Sequence, residues 1–160
     1  MIAIGSDHGG FALKETVKAH LQVKGYKVKD VGTHDASSCD YPDYGAAAAR
    51  LVASGEAEKG IVICTTGIGM SIVANKTPGI RCALCSDVTS ARLTRLHNDA
   101  NMLAVGAGVI GPNVALDVVD AFLETEFSKE ERHQRRIDKI EKTKNRMTDP
   151  TAAEGIDVIF

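Results

Sequence analysis

Apolar positions along the chain fall into short unbroken runs, separated by longer segments with helical spacing. Residues 2–5, Ile-Ala-Ile-Gly, form the first run, and the polar turn Ser6-Asp7-His8-Gly9-Gly10 closes it. A run this short reads as a buried strand. Phe11, Leu13, Val17 and Leu21 then recur at helical spacing, predicting a helix over 11–24 that Gly25 stops. Residues 26–31 alternate apolar and charged positions, as a second strand near a sheet edge would, and 32–38 form a loop. Pro42 suits the first position of a helix capped near Asp40 or Tyr41, which runs through the alanines 46–49 to Ser54. Ile61-Val62-Ile63-Cys64 is a third strand, and a helix is expected over 71–76. Residues 80–85 are a fourth strand, Ser86-Asp87 caps a helix to about His97, and 102–106 are a fifth strand. Pro112 opens a helix through Phe127, and 129–147 form a long, highly charged helix.

Five short strands alternating with helices predict an α/β fold. The expected architecture is a doubly wound, five-stranded parallel sheet, Rossmann-like, with helices on both faces and an extended C-terminal helix. Right-handed crossovers follow from backbone chirality. Residues 1–147 are expected to form one domain. Asp149-Pro150 breaks the last helix, leaving 148–160 as a C-terminal extension with an apolar end, Ile156-Asp157-Val158-Ile159-Phe160.

The stretch Ile61 to Ser71 organises the rest. It places Cys64 at the carboxyl end of a central strand, where parallel α/β sheets bind ligands. The turn Thr65-Thr66-Gly67-Ile68-Gly69 leads into a helix, so its backbone N–H groups lack intrahelical partners and favour negative charge. A thiol beside such donors suits proton transfer with a developing oxyanion. Gly67 and Gly69 do not make a dinucleotide fingerprint, because Ile72 stands where the third glycine belongs. Asp7-His8, Tyr41, Cys64 to Gly69 and His97-Asn98 lie in four turns expected to open on one edge of the sheet, and their convergence there marks an active site.

Composition narrows the function classes. A formal net charge of −2 and 4% aromatic residues without Trp give neither a nucleic-acid surface nor stacking platforms. No apolar run reaches membrane-span length, and the chain enters its first strand without a signal-like segment, so a cytoplasmic protein is expected. Cys39, Cys64, Cys82 and Cys85 are expected as free thiols. Cys82-Ala83-Leu84-Cys85 matches a redox spacing, but in a strand these positions face opposite sides. None of His8, His20, His34, His97 and His133 has metal-ligand spacing with the cysteines.

The motifs together resemble the type B ribose-5-phosphate isomerases. Those motifs are Ser6-Asp7-His8-Gly9-Gly10, Asp40-Tyr41-Pro42, the turn from Cys64 to Gly69 with Ala74-Asn75-Lys76, Pro78-Gly79-Ile80-Arg81, and His97-Asn98-Asp99-Ala100-Asn101. Arg132-His133-Gln134-Arg135-Arg136 is similar to that family's late basic motif, and the likeness covers residues 1 to about 146 in order.

The resemblance implies an aldose–ketose isomerase that needs no metal and no cofactor and interconverts ribose 5-phosphate and ribulose 5-phosphate through an enediolate. It casts Cys64 as the base between C2 and C1, and His97 as proton donor in ring opening, with Thr66. The N–H groups of Thr65, Thr66, Gly67, Ile68 and Gly69 would hold the enediolate oxygen with Asn98. Asp7 would bind sugar hydroxyls, Tyr41 would line the pocket, and His8, Arg132 and Arg136 would bind the phosphate. Arg132 and Arg136, at i and i+4, share a helix face. The resemblance further implies a homodimer with shared active sites, or a dimer of such dimers, the arginines reaching a neighbouring subunit's site. Gly108 stands where many relatives carry a phosphate-binding Arg, which leaves a six-carbon sugar phosphate (galactose or allose 6-phosphate) as the alternative substrate. The six-carbon enzymes typically lack the His-Asn-Asp segment present here at His97, which favours the pentose. A non-catalytic sugar-phosphate sensor would be expected to lack Cys64 or His97, and both are present.

Overall fold

A computed structural model describes residues 1–146. The expected domain end at 147 and the extension 148–160 lie outside the described residues. The chain divides into two compact units, Met1–Ser128 and Lys129–Phe160. The first carries strands β1 (Ile2–Ser6), β2 (Val28–Asp30), β3 (Lys59–Cys64), β4 (Cys82–Leu84) and β5 (Met102–Gly106). Its helices are α1 (Phe11–Val23), α2 (Tyr41–Ala53), α3 (Ile68–Ala74), α4 (Val88–Asn98) and α5 (Pro112–Glu124). Helix α6 (Glu131–Arg146) belongs to the second unit.

The five strands form one sheet in the order β2-β1-β3-β5-β4, and every pairing is parallel. The expected doubly wound fold is therefore observed. Alternation along the central strands separates two cores. Ile4, Ile61, Ile63, Leu103 and Val105 pack with Leu13, Val17 and Leu21 of α1, Ala91 of α4, and Val118 and Phe122 of α5. On the other face Ala3, Val62, Cys64, Met102 and Ala104 meet Ala48, Ala49 and Val52 of α2 and Met70 and Ala74 of α3. The alanines of α2 let that helix lie close to the strands.

Several boundaries differ from the sequence expectation for identifiable reasons. The outer strands β2 and β4 are shorter than their apolar runs because each pairs on one side only. Ahead of β4, Ile80 turns back to the Thr77 carbonyl at 3.1 Å, and the Arg81 N–H donates to the Asn101 side chain at 2.9 Å. Helix α5 stops at Glu124 rather than Phe127: Thr125 is extended, and its carbonyl accepts from Arg95 Nε at 3.2 Å. Helix α6 starts at Glu131 after Lys129 adopts a positive φ of 57°. The cap of α4 is as expected, Asp87 Oδ1 accepting from Ser90 N at 2.8 Å.

Candidate active site

The sheet reverses its winding between β1 and β3: the chain leaves β1 for β2 on one side, and leaves β3 for β4 and β5 on the other. A crevice at the carboxyl ends of β1 and β3 follows from that reversal. Both strands end there in glycine-rich turns. A Cβ on Gly9 would run into Thr65 Oγ1, so the two turns touch there.

Cys64 closes β3 with 6% exposure. Its sulfur accepts from the Gly67 N–H at 3.1 Å. Gly67 has φ +75°, and a Cβ there would stand 2.5 Å from Leu84 Cδ1 and 2.9 Å from the Val105 carbonyl carbon. The turn that aims this N–H at the sulfur thus requires glycine on two counts. A sulfur that turns negative in a reaction has its donor in place. The Ile68 N–H is occupied by Thr66 Oγ1 at 3.3 Å. Among the described residues, the N–H groups of Thr65, Thr66 and Gly69 take no protein acceptor. Ala107 N donates to the Cys64 carbonyl at 2.9 Å and Gly108 N to the Thr65 carbonyl at 2.8 Å, so the loop after β5 fastens the turn. Gly108 itself lies against that carbonyl, 3.1 Å from where its Cβ would be.

Asp7 is buried, and its Oδ1 accepts from Gly10 N at 3.0 Å, which stiffens the first turn. His8 is exposed beside it. Its Nδ1 accepts from the Cys39 N–H at 3.2 Å, so a neutral His8 carries its proton on Nε2 and offers it as a donor. The loop bearing Cys39 is tied down by a fully buried lysine. Lys14 Nζ meets Asp30 Oδ2 at 2.7 Å and the Thr33 carbonyl at 2.8 Å. Burial alone would raise the Asp30 carboxyl, but the Lys14 and Lys18 ammonium groups and the Gly32 N–H outweigh it and hold it below the usual range. Tyr41 opens α2 and lays its ring on Gly69, with ring carbons 2.7 and 2.8 Å from where a Cβ would stand. Asp7, His8, Tyr41 and the turn from Cys64 to Gly69 therefore share one edge of the sheet. The roles of Gly9 and Cys39 were not legible in the sequence; the adjacent pair Gly9-Gly10 was the available signal.

His97 and Asn98 do not join them. They end α4, whose chain has already run back along the sheet to the amino ends of the strands. Asn101, three residues on, accepts from Gly60 N at the start of β3 at 3.0 Å and donates to the Gly79 carbonyl at 2.8 Å. Gly60 pairs with Met102, whereas Cys64 pairs with Gly106. Four residues of strand, about 13 Å, separate those levels. The expected convergence of four turns on one edge is corrected to three, because a parallel crossover helix returns the chain to the opposite edge. Both side chains are exposed at the end of α4. Arg132 and Arg136 are exposed on α6, and Arg132 Nε pairs with Glu130 at 2.7 Å.

The redox spacing is inert. Cys82 and Cys85 pack into the cores on opposite faces of the sheet. Burial pushes their thiols up to about 12 and about 11, respectively. Among the described residues no group of three His, Cys, Asp or Glu side chains is placed to hold a metal ion, and no helix is long and apolar enough to cross a membrane.

Residues 2–140 match the model of the family described as Ribose/Galactose Isomerase. The chain is 48% identical over 139 residues to ribose-5-phosphate isomerase B of Escherichia coli strain K12, covering 87% of this chain and 93% of that protein. It is 40% identical over 141 residues to the galactose-6-phosphate isomerase subunit LacB of Clostridium acetobutylicum, covering 88% of this chain and 82% of that one. The structure of Clostridium thermocellum ribose-5-phosphate isomerase B superposes with a TM-score of 0.89 at 50% identity, covering 92% of this chain and 99% of that one.

Proposed function

The chain belongs to the ribose/galactose isomerase family, among its type B ribose-5-phosphate isomerases; it interconverts D-ribose 5-phosphate and D-ribulose 5-phosphate, and we propose how its residues do so. Cys64, as thiolate, removes the proton from C2 of the open-chain aldose, giving an enediolate, and returns it to C1. The observation that carries this assignment is the Gly67 N–H on the Cys64 sulfur, in a crevice formed by turns that touch at Gly9 and Thr65. The N–H groups of Thr65, Thr66 and Gly69 are ready to hold the enediolate oxygens. In this reading Asp7 and Tyr41 orient the sugar, and His8 donates through Nε2 to the phosphate.

His97 and Asn98 act in a second copy's site. Their place at the amino edge, away from Cys64, supports a homodimer in which each site takes Cys64 from one chain and His97 from the other. His97 donates a proton to the ring oxygen to open the furanose, helped by Thr66, and Asn98 adds a donor to the enediolate. Arg132 and Arg136 serve the phosphate from the partner as well, presenting two guanidinium groups on one helix face. Such a dimer is isologous and can pair again into a dimer of dimers. A cytoplasmic location accords with this metabolic role.

A coupled assay with ribose 5-phosphate, ribulose 5-phosphate, galactose 6-phosphate and allose 6-phosphate tests the substrate. The five-carbon pair is expected to react at least ten-fold faster by kcat/KM. Faster turnover of a six-carbon phosphate would transfer the assignment to the LacB-like side of the family, with Gly108 as the space for the longer sugar.

A further inference from the structure

Helix α4 ends in an unusual way. Asp99, directly after His97 and Asn98, adopts the left-handed conformation with φ 44° and ψ 44°, which residues other than glycine rarely hold without help. The help comes from two arginines. Arg81 Nε donates to the Asn98 carbonyl at 2.9 Å and its Nη2 to the Asp99 carbonyl at 2.9 Å. One guanidinium thus takes two successive carbonyls that α4 leaves without intrahelical partners. The Asp99 carboxylate lies 3.5 Å from Arg81 Nη2 and 2.8 Å from Arg95 Nη1. Arg81 is itself fixed by its backbone: its N–H donates to Asn101 Oδ1 at 2.9 Å, and its carbonyl accepts from Asn101 N at 3.1 Å and Met102 N at 3.2 Å.

We infer that Arg81 is a positioning residue for the isomerisation: its guanidinium fork sets the end of α4 so that His97 and Asn98 reach the partner subunit's site in register. The inference rests on the proposed roles of His97 and Asn98 in a shared site. Arg81 acts on the two carbonyls on either side of the Asp99 Cα, the first of them one residue after the proton donor His97. A lysine cannot replace it, because an ammonium is a point donor and cannot span two carbonyls in a fixed plane. Arg95 pairs with the other oxygen of the Asp99 carboxylate that Arg81 Nη2 approaches, and in Arg81→Lys that pair remains to keep the turn folded.

Arg81→Lys is expected to lower kcat by roughly ten- to a hundred-fold, since an ångström of misplacement costs that much in a positioned catalyst. The KM for the sugar phosphate should change far less. A merely structural residue would not fall into a complementation class, and Arg81 should. Co-expressed with Cys64→Ala, the Arg81→Lys chain is expected to restore roughly a quarter of wild-type activity, because half the dimers are mixed and each holds one site free of both lesions. Co-expressed with His97→Asn, it should restore nothing beyond the average of the two variants. Where Cys64→Ala and His97→Asn complement each other, recovery with His97→Asn, no recovery with Cys64→Ala, or normal turnover of Arg81→Lys alone would each overturn the inference. A chain that failed to fold could not complement Cys64→Ala, so recovery there also reports its fold.

Two controls separate this failure from failure of the shared site. If Cys64→Ala and His97→Asn do not complement each other, the shared site itself is rejected. In that case Arg81→Lys in the His97→Asn background decides: a second full loss of turnover shows that Arg81 does not act through His97, and little further loss shows that it does.

Discussion

The backbone N–H of Gly67 points at the sulfur of Cys64 across 3.1 Å, held there by a left-handed turn that only glycine fits. Cys64→Ala should keep the fold and bind sugar phosphate while losing about 10²–10⁴-fold in turnover, the usual loss for a general base. Near-normal turnover in that variant removes Cys64 from the role of base. Gly67→Ala should cost about 1–2 kcal/mol from the backbone conformation alone and more from the approach to Leu84, lowering both the thermal midpoint and activity. Chelators should leave the native enzyme's rate unchanged, and a chelator-sensitive rate would count against this mechanism.

His97→Asn should reveal ring opening through the dependence on enzyme concentration. With ribose 5-phosphate the rate should level off at the uncatalysed rate of furanose opening as enzyme is added. With ribulose 5-phosphate it should keep rising in proportion. A rate proportional to enzyme in both directions would assign His97 to the enediolate step.

Cys64→Ala and Arg136→Ala, each nearly inactive, should recover roughly a quarter of wild-type activity when co-expressed in equal amounts. Activity fixed at the average of the two would mean that Arg136 serves its own chain's site. Co-expression is the safer route, since an interface of obligate size exchanges slowly after folding.

The Lys14–Asp30 pair predicts acid sensitivity. The Asp30 carboxyl is held below its usual range in the fold. Its contribution is therefore present above the unfolded value near pH 3.9 and is lost as pH falls through the lower folded value. Acid unfolding of the native protein should steepen below about pH 4, and Asp30→Asn should flatten that slope. The same substitution removes one partner from a buried lysine and should cost about 3 kcal/mol at pH 7, the low end for a broken buried pair because the Thr33 carbonyl remains. Urea titrations at pH 7 and pH 3.5 measure both.

Cys82 and Cys85 should resist alkylation at pH 8, because burial holds their thiols up to about 12 and about 11, leaving little thiolate. Peptide mapping after iodoacetamide treatment of the folded protein reads this directly. Labelling of either at the rate of a free thiol would contradict the buried packing.

The sequence by itself determined which stretches are strands and helices, to within a few residues at their ends, and the identity of the crevice turns. The apolar runs 2–5, 61–64 and 102–106 present no polar face, which suits strands covered on both sides, and their alternation with helical segments pointed to a parallel sheet. Asp87 capped α4 as its residue type predicts, and Cys64 closed a central strand where the apolar run gives way to the turn Thr65-Thr66-Gly67. These are local properties, set by side-chain size and backbone freedom within a few residues. Tertiary structure alone decided the strand order β2-β1-β3-β5-β4, which brings Gly9 against Thr65 and places the crevice between β1 and β3. It also decided that a backbone N–H from Cys39 sets the tautomer of His8, and that Arg81 grips the end of α4. Those contacts join residues 17 to 31 positions apart, beyond any local pattern. His97 is the telling case. Its residue type and motif suggested a proton donor, but a crossover helix carries it to the far edge from Cys64, because parallel strands must all start from the same side.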